Sequence, residues 1–404
     1  MVKTQTLKGF RDFLPREARK RQYVINTLRE VFESYGFEPL ETPALEYEEI
    51  LLGKYGEEGD RLMYRFKDLG GRNVALRYDQ TVPLARVVAQ YQNELPMPFK
   101  RYQVQPVWRA ENTQKGRFRE FLQCDADIVG SSSPIADAEV IVVAAKSLEK
   151  LEFRNFKILI NDRAVFDGID NRVITTIDKL KKIGREGVLN ELSKKGFNKD
   201  ELVTILDSIE SKTPTEQIKK IQSSLAVLGV EPLKYEFSPT LARGLDYYTS
   251  TIFEIEIEGY SAGSVCGGGR YDKLVGMFAG KDIPAVGFAF GFDRLMEAME
   301  ELKLFPKDVE QSSTKVLITI FNPQLKEKSL EMSSQLRSNN IATELYLDEN
   351  AKMEKQLKYA DQKGIPYVLI IGPNEAKNNT VTLKNMKTRE QKTIPQKDLL
   401  NAFK

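Results

Sequence analysis

No histidine occurs anywhere in the 404 residues. This absence removes Ser-His triads, imidazole general bases and histidine-ligated zinc, so any catalysis has to run on arginine, carboxylates, tyrosine and amides, with Mg²⁺ as the metal that suits such a set. Cysteine is nearly as scarce: Cys124 and Cys266 form no CxxC pair and no disulfide framework, as expected for a reducing compartment. No apolar run approaches the ~18 residues of a membrane span, and the N-terminal MVKTQTLKGFRDFLP lacks the apolar centre of a signal peptide. The expected location is therefore the cytoplasm, with no membrane partner. Neither a GxxxxGK[ST] loop nor a GxGxxG fingerprint is present, so kinase and dehydrogenase readings lose support.

What is present is ordinary for a soluble globular chain of two or three domains, 41% hydrophobic and 29% charged. The net charge of +2 hides an asymmetry. Residues 315–404 hold 15 Lys and Arg against 10 Asp and Glu, which leaves 45 against 48 in the first 314. A mildly basic tail is compatible with nucleic acid without demanding it.

The densest chemistry lies between Val107 and Gly130, VWRAENTQKGRFREFLQCDADIVG. A turn region from Asn112 to Gly116 separates two arms with strand-like alternation. Arg109 and Glu111 share a face of the first arm. In the second, the odd positions Arg117, Arg119, Phe121, Gln123, Asp125 and Asp127 share another. Two arginines, a ring, an amide and two carboxylates on one face can hold phosphates, a base and a charged small molecule. A solvated hairpin with charge pairs across its strands remains the alternative.

Taken in order, the chain predicts a helix over Arg16 to Tyr35, with apolar Val24, Leu28, Val31 and Phe32 and an end at Gly36. An extended segment broken by Pro39 and Pro43 suits an edge strand. A hairpin turning at Gly70 and Gly71 follows, then LRYDQTVPLAR, where Asp79 and Thr81 stand at a strand-to-helix junction; a plain helix N-cap is one reading of them. Ser133 and Pro134 open a capped helix, and FKILIND reads as a buried strand. From about Val165 to Val230 the texture turns to short amphipathic helices punctuated by Gly184, Gly196 and Gly229, read as an insertion with its own small core. LARGLDYYTSTIFEIEIEG resumes the strands. Tyr247 and Tyr248 at its start suit a strand rim as well as a ligand. Gly267 to Gly269 allow either close backbone approach or a tight turn. PAVGFAFGFDRLMEAMEEL runs from a small-residue strand into a helix carrying Arg294. Beyond a linker near Leu302 to Ser313, strands and helices alternate, which predicts a parallel or mixed sheet with packed helices, then a polar hairpin and a short final helix.

An Arg-x-Glu strand, a loop and an Arg-x-x-x-Phe strand resemble motif 2 of the class II aminoacyl-tRNA synthetases. QCDADIVG and RGLDYYT resemble the histidine-specific members. The helix and Pro-broken strand near the N-terminus are similar to motif 1, and the segment with Arg294 to motif 3. The resemblance implies an α/β fold: an α+β catalytic domain with an antiparallel sheet (1–164 and 231–301), a helical insertion (165–230) that touches the tRNA acceptor arm, a linker (302–314) and a C-terminal α/β anticodon-binding domain (315–404). It implies a homodimer, ATP and Mg²⁺, and the substrates histidine and tRNA(His).

Residue by residue, the resemblance gives Arg109 and Arg243 to the α-phosphate. Arg117 and Arg294 go to the outer phosphates and base, Glu111 to the adenine amine and Phe121 to base stacking. Asp79 and Thr81 are expected to hold the α-ammonium, with Gln123 near the substrate carboxylate. Asp127 and Tyr248 are expected to read the imidazole nitrogens, and Tyr247 and Arg243 complete the histidine set. The implied reaction forms histidyl adenylate and pyrophosphate, then passes the histidyl group to tRNA. Asp79 and Asp127 stand where related sequences often carry Glu. A catalytically silent relative, the regulatory subunit of ATP phosphoribosyltransferase, is the alternative; it usually lacks the C-terminal domain.

Overall fold

The computed structural model describes residues 2–113, 116–242 and 247–403, with residues 57 and 58 described by their backbone alone. The chain divides into two compact units, Met1–Phe305 and Pro306–Lys404. In the first, α1 (Pro15–Ser34) places Pro15 in its first turn, where no backbone N–H is missed, and ends before Gly36 at φ +75°. Its buried stripe includes Val24, Leu28, Val31 and Phe32. The short strands β1 (Glu38–Pro39) and β2 (Leu45–Tyr47) follow, then two helical turns, α2 (Glu48–Leu51) and α3 (Gly56–Arg61). A hairpin of β3 (Arg65–Lys67) and β4 (Asn73–Leu76) turns at Gly71. α4 (Thr81–Gln90) leads into two ten-residue strands, β5 (Phe99–Trp108) and β6 (Glu120–Val129).

α5 (Pro134–Lys150) begins at Ser133, whose hydroxyl accepts the N–H of Ile135. β7 (Phe156–Asp162) is followed by α6 (Asn171–Ile177), α7 (Leu180–Lys194), α8 (Lys199–Glu210) and α9 (Glu216–Val227). β8 (Tyr235–Phe237), β9 (Thr251–Ile257) and β10 (Cys266–Arg270) return to the sheet, a turn α10 (Gly276–Ala279) intervenes, and β11 (Ala285–Gly291) runs directly into α11 (Phe292–Glu301). Among the described residues the main sheet has the order β1-β5-β6-β11-β10-β9-β7-β8. It is antiparallel except for the parallel edge pairs β1/β5 and β7/β8.

The two faces of this sheet do different work. On one, Cys124, Ala126 and Ile128 of β6, Val286, Phe288 and Phe290 of β11 and Phe253 and Ile255 of β9 pack against α1, α5 and α11. Alternation sends the remaining side chains of β5, β6 and β11 to the other face. There Tyr55, Tyr78, Leu84, Val88, Tyr271 and Leu274 form a second apolar cluster beside a cleft. Among the helices from 171 to 227, Val173, Ile177, Val188, Leu192 and Leu206 of α6, α7 and α8 share a cluster of their own. α9 does not join it. Ile218, Ile221 and Leu225 belong to the main core, because amphipathic spacing gives a helix an apolar face without saying which surface will cover it.

In the second unit, β12 (Val316–Ile318), α12 (Lys326–Ser338), β13 (Thr343–Leu345), α13 (Met353–Lys363), β14 (Tyr367–Ile370), α14 (Pro373–Asn378), β15 (Thr380–Asn385) and β16 (Gln391–Pro395) build a mixed sheet in the order β13-β12-β14-β15-β16. The first three strands of that order are parallel and the last two pairings antiparallel. A 3-10 helix, Gln396–Phe403, closes the unit. The fold is thus mixed α/β in both units.

Candidate active site

The cleft exists because four neighbouring strands contribute unequal side chains to one face. In register, Arg101, Gln103 and Gln105 of β5 stand opposite Asp127, Asp125 and Gln123 of β6. On the other flank of β6, the same three positions face Gly287, Ala289 and Gly291 of β11, and beyond them Gly269 and Gly267 of β10. Polar groups therefore line one side while the other side is nearly bare backbone. The result is a cavity of about 320 Å³, within the range that small-molecule sites occupy.

At its deep end lie Asp79, Thr81, Asp127, Tyr247, Tyr248 and Tyr271. Asp79 is both cap and cavity wall. Its Oδ1 accepts the Thr81 N–H (3.1 Å), the Val82 N–H (3.1 Å) and the Tyr55 hydroxyl (2.8 Å). The capping role considered for Thr81 is thus filled by Asp79. Burial raises the pKa of Asp79, and these donors together with Arg109 oppose the rise. Asp127 accepts from the Tyr271 hydroxyl at one oxygen, and its other oxygen lies 2.8 Å from Arg101 Nη2. Burial raises its pKa too, against the pull of Arg101 and Tyr271. Tyr248 stacks at a tilt on Tyr247, ring centroids 5.0 Å apart, and Tyr247 meets Tyr271 edge to face at 5.9 Å. Gln123 offers its amide midway along the cavity, with Nε2 3.4 Å from Asp125 Oδ1 and Oε1 buried without a partner among the described residues.

At the outer end stand Arg109, Glu111, Arg117, Phe121 and Arg294. The Arg109 guanidinium is fixed by Nε to the Tyr78 carbonyl (3.1 Å) and lies against the rings of Tyr78 (4.4 Å) and Phe121 (5.2 Å). Arg117 and Glu111 form a looser pair at 3.6 Å. Arg294 Nη1 donates to the Ser264 carbonyl at 2.9 Å.

One arm of the central stretch differs from its expected form. β5 ends at Trp108 and β6 starts at Glu120, so Arg109, Glu111, Arg117 and Arg119 lie on the connection and not on paired strand. Arg117 and Arg119 accordingly do not share a wall: Arg117 lines the cavity, whereas Arg119 turns back, its Nε on the Glu111 carbonyl and its N–H on the Gly9 carbonyl. Arg243 lies outside the described residues. The sequence reading also passed over Tyr55, Tyr271, Gly287 and Arg101. Tyr271 directly follows the GGGR glycines, and Gly287 holds an alternating position in a small-residue strand, which were the available signals.

A family model described as Histidyl-tRNA synthetase matches residues 9–195 and 170–295, and one described as Anticodon binding domain matches 315–404. The chain belongs to the histidyl-tRNA synthetase family. It is similar to the histidine--tRNA ligase of Cytophaga hutchinsonii, 41% identical over 442 residues that cover 97% of each chain. The crystal structure of histidyl-tRNA synthetase from Nostoc sp. PCC 7120 superposes with a TM-score of 0.83 at 32% identity, covering 100% of this chain and 99% of that one. A Bacillus halodurans structure titled ATP phosphoribosyltransferase regulatory subunit/histidyl-tRNA synthetase shares the fold, at TM-score 0.73 and 21% identity over 92% of this chain and 98% of that one.

Proposed function

We propose that the chain joins histidine to tRNA(His) in two steps through histidyl adenylate. The supporting observation is the polarity of the cavity along β6. Carboxylates and tyrosines lie around Asp127, an amide at Gln123, a ring at Phe121, and arginines beyond it. The six residues from Asp127 to Phe121 span about 20 Å of strand, enough for an amino acid and a nucleotide end to end.

In this reading Asp79 and Thr81 take the α-ammonium, Asp127 and Tyr248 the imidazole, with Tyr247 beside them, and Gln123 the carboxylate. That carboxylate attacks the α-phosphorus in line and pyrophosphate leaves. No protein base is needed, since the nucleophile is already ionised. Arg109 and Arg243 stabilise charge on the α-phosphate, Arg117 and Arg294 take the outer phosphates and base, Glu111 takes the adenine amine and Phe121 stacks on the ring. Among the described residues there is no cluster of three or more metal-ligating side chains. That donor set fits Mg²⁺, which keeps several waters and binds through phosphates and one or two carboxylates, Glu111 being the one beside the arginines. When bound, the ion neutralises phosphate charge. Residues 1–164 and 231–301 form the catalytic part, 165–230 contacts the acceptor arm, 302–314 links, and 315–404 reads the anticodon. The protein works in the cytoplasm as a homodimer.

The silent regulatory alternative shares this fold, so residues decide between the two readings and not topology. The test is exchange of labelled pyrophosphate into ATP. Histidine alone among the amino acids supports exchange, and Arg109→Ala lowers it by about 10²- to 10³-fold. A well-folded protein without exchange would instead favour the regulatory reading.

A further inference from the structure

Asp127 is the only carboxylate of the deep wall that has a fully buried cation facing it directly across a strand pair. Arg101 is 0% exposed, stands opposite Asp127 in the β5/β6 register, and brings Nη2 to 2.8 Å from Oδ2. Its other contacts are neutral and longer: Nη1 to Gln103 Oε1 at 3.3 Å and Nη2 to the Gln80 carbonyl at 3.4 Å. Gln103 is held in turn by Thr42 Oγ1 (2.9 Å) and Gln105 Oε1 (2.6 Å), and Arg77 ties Gln105 to the Thr42 carbonyl. A guanidinium so deep, with no route to water, is expensive to keep, and breaking such a pair leaves an uncompensated charge.

We propose that Arg101 is a positioning residue for histidine selection, holding the Asp127 carboxylate ionised and in one orientation so that it presents an acceptor, and never a donor, to the imidazole ring. The proposal rests on the reading of this cavity as the histidine site. Asp127 is confined on three sides: by Arg101 at Oδ2, by the Tyr271 hydroxyl at Oδ1, and by Gly287, where an added Cβ would lie 1.8 Å from Oδ1. The field it feels comes from every wall. Asp125 neighbours it on β6, Asp79 stands at the start of α4, Tyr247, Tyr248 and Tyr271 close the far side, and Arg109 and Arg101 are the described cations of the set. Three buried carboxylates thus lean on few positive charges. Without Arg101, Asp127 would take up a proton at higher pH, and a protonated carboxyl can offer its O–H to a ring nitrogen. The discrimination that a polar site gains from unpaired groups would then be lost.

The test uses the full-length protein with Arg101→Gln and Arg101→Met, in histidine-dependent pyrophosphate exchange. Each variant raises the KM for histidine about tenfold or more, leaving kcat and the KM for ATP within about threefold. The acid limb of kcat/KM for histidine moves up by about one pH unit or more, as removal of an opposite charge requires. The limb set by free histidine stays where it is in every variant. In an Asp127→Asn background, Arg101→Gln adds nothing further to KM, since the group it acts through is gone. An unchanged KM and limb in Arg101→Gln, or full additivity with Asp127→Asn, would overturn the proposal. If Arg101→Met does not fold, Arg101→Gln, which keeps polarity and nearly the same length, carries the same comparison. Failure of the wild type to exchange with histidine would sink the reading of the site, a result distinct from a silent Arg101.

Discussion

Asp125 shows how the site works against the stability of the chain at single-residue scale. It is buried beside Asp127, and burial first, then the charges of Asp127 and Asp79, push its pKa well above the ordinary carboxylate value, with Arg101 and Arg109 opposing. A carboxyl whose folded pKa is raised binds its proton more tightly when folded. Its stability contribution is therefore greatest below the unfolded pKa and is lost as pH rises through the folded one. At neutral pH the ionised group costs stability. Asp125→Asn keeps the size and an acceptor for Gln123, and is expected to raise the melting temperature at pH 7 by about 2 °C or more. The gain shrinks toward zero near pH 4, which thermal scans at the two pH values check. The alternation of QCDAD made the acidic face legible from sequence. Arg101 was not legible, because one arginine in FKRYQVQ looks like any strand residue until pairing sets it across from Asp127.

Among the elements, the link between β10 and α5 is the one most open to test. Arg270, at the end of β10, donates through Nε to Asp137 Oδ1 (3.1 Å) in the first turn of α5. It also reaches the Ser131 carbonyl (2.8 Å), the Ser133 carbonyl (3.3 Å) and Asp272 Oδ1 (3.1 Å). Both ends of the pair are nearly sealed from water. The arginine of GGGRYD thus fastens a helix N-terminus to the sheet. Arg270→Met should lower unfolding free energy by about 3–5 kcal/mol, with most of it recovered in Arg270→Met/Asp137→Leu, because the cost lies in the stranded partner; urea denaturation of the three proteins measures both. Element existence was largely readable: the stripes of α1 and α5, the strand FKILIND and the alternation of β9 carry period and punctuation in the sequence. Element ends were less so. Extending period two from β6 back to Arg117 ignored that β5 has no partner residues left beyond Trp108, and only the register shows where pairing stops.

For the whole molecule, the division at residue 306 separates two sets of cores. Every residue lining the cavity falls between Tyr55 and Arg294, inside Met1–Phe305. The second unit has its own clusters around Val316, Leu336 and Leu369 and around Leu317 and Val368. A chain ending at Phe305 is therefore expected to fold and to retain histidine-dependent pyrophosphate exchange within about threefold, while losing tRNA charging; filter binding of charged tRNA beside the exchange assay separates the two. Alternation of strand and helix after Lys315 announced the mixed sheet of this unit. What it could not announce was which surface reads a nucleic acid, since generic packing signals carry no record of the partner.

The cleft over the sheet is made by side chains that are missing. A Cβ at Gly268 would lie 2.3 Å from the Gly287 carbonyl oxygen, at Gly269 2.6 Å from that of Thr251, and at Gly287 1.8 Å from Asp127. Read as genetics, these are three codons at which every missense change adds atoms where none fit. No conservative replacement exists, for nothing is smaller than glycine. The gene holds this space open only by purging each such substitution, so the emptiest part of the protein is the least free to drift.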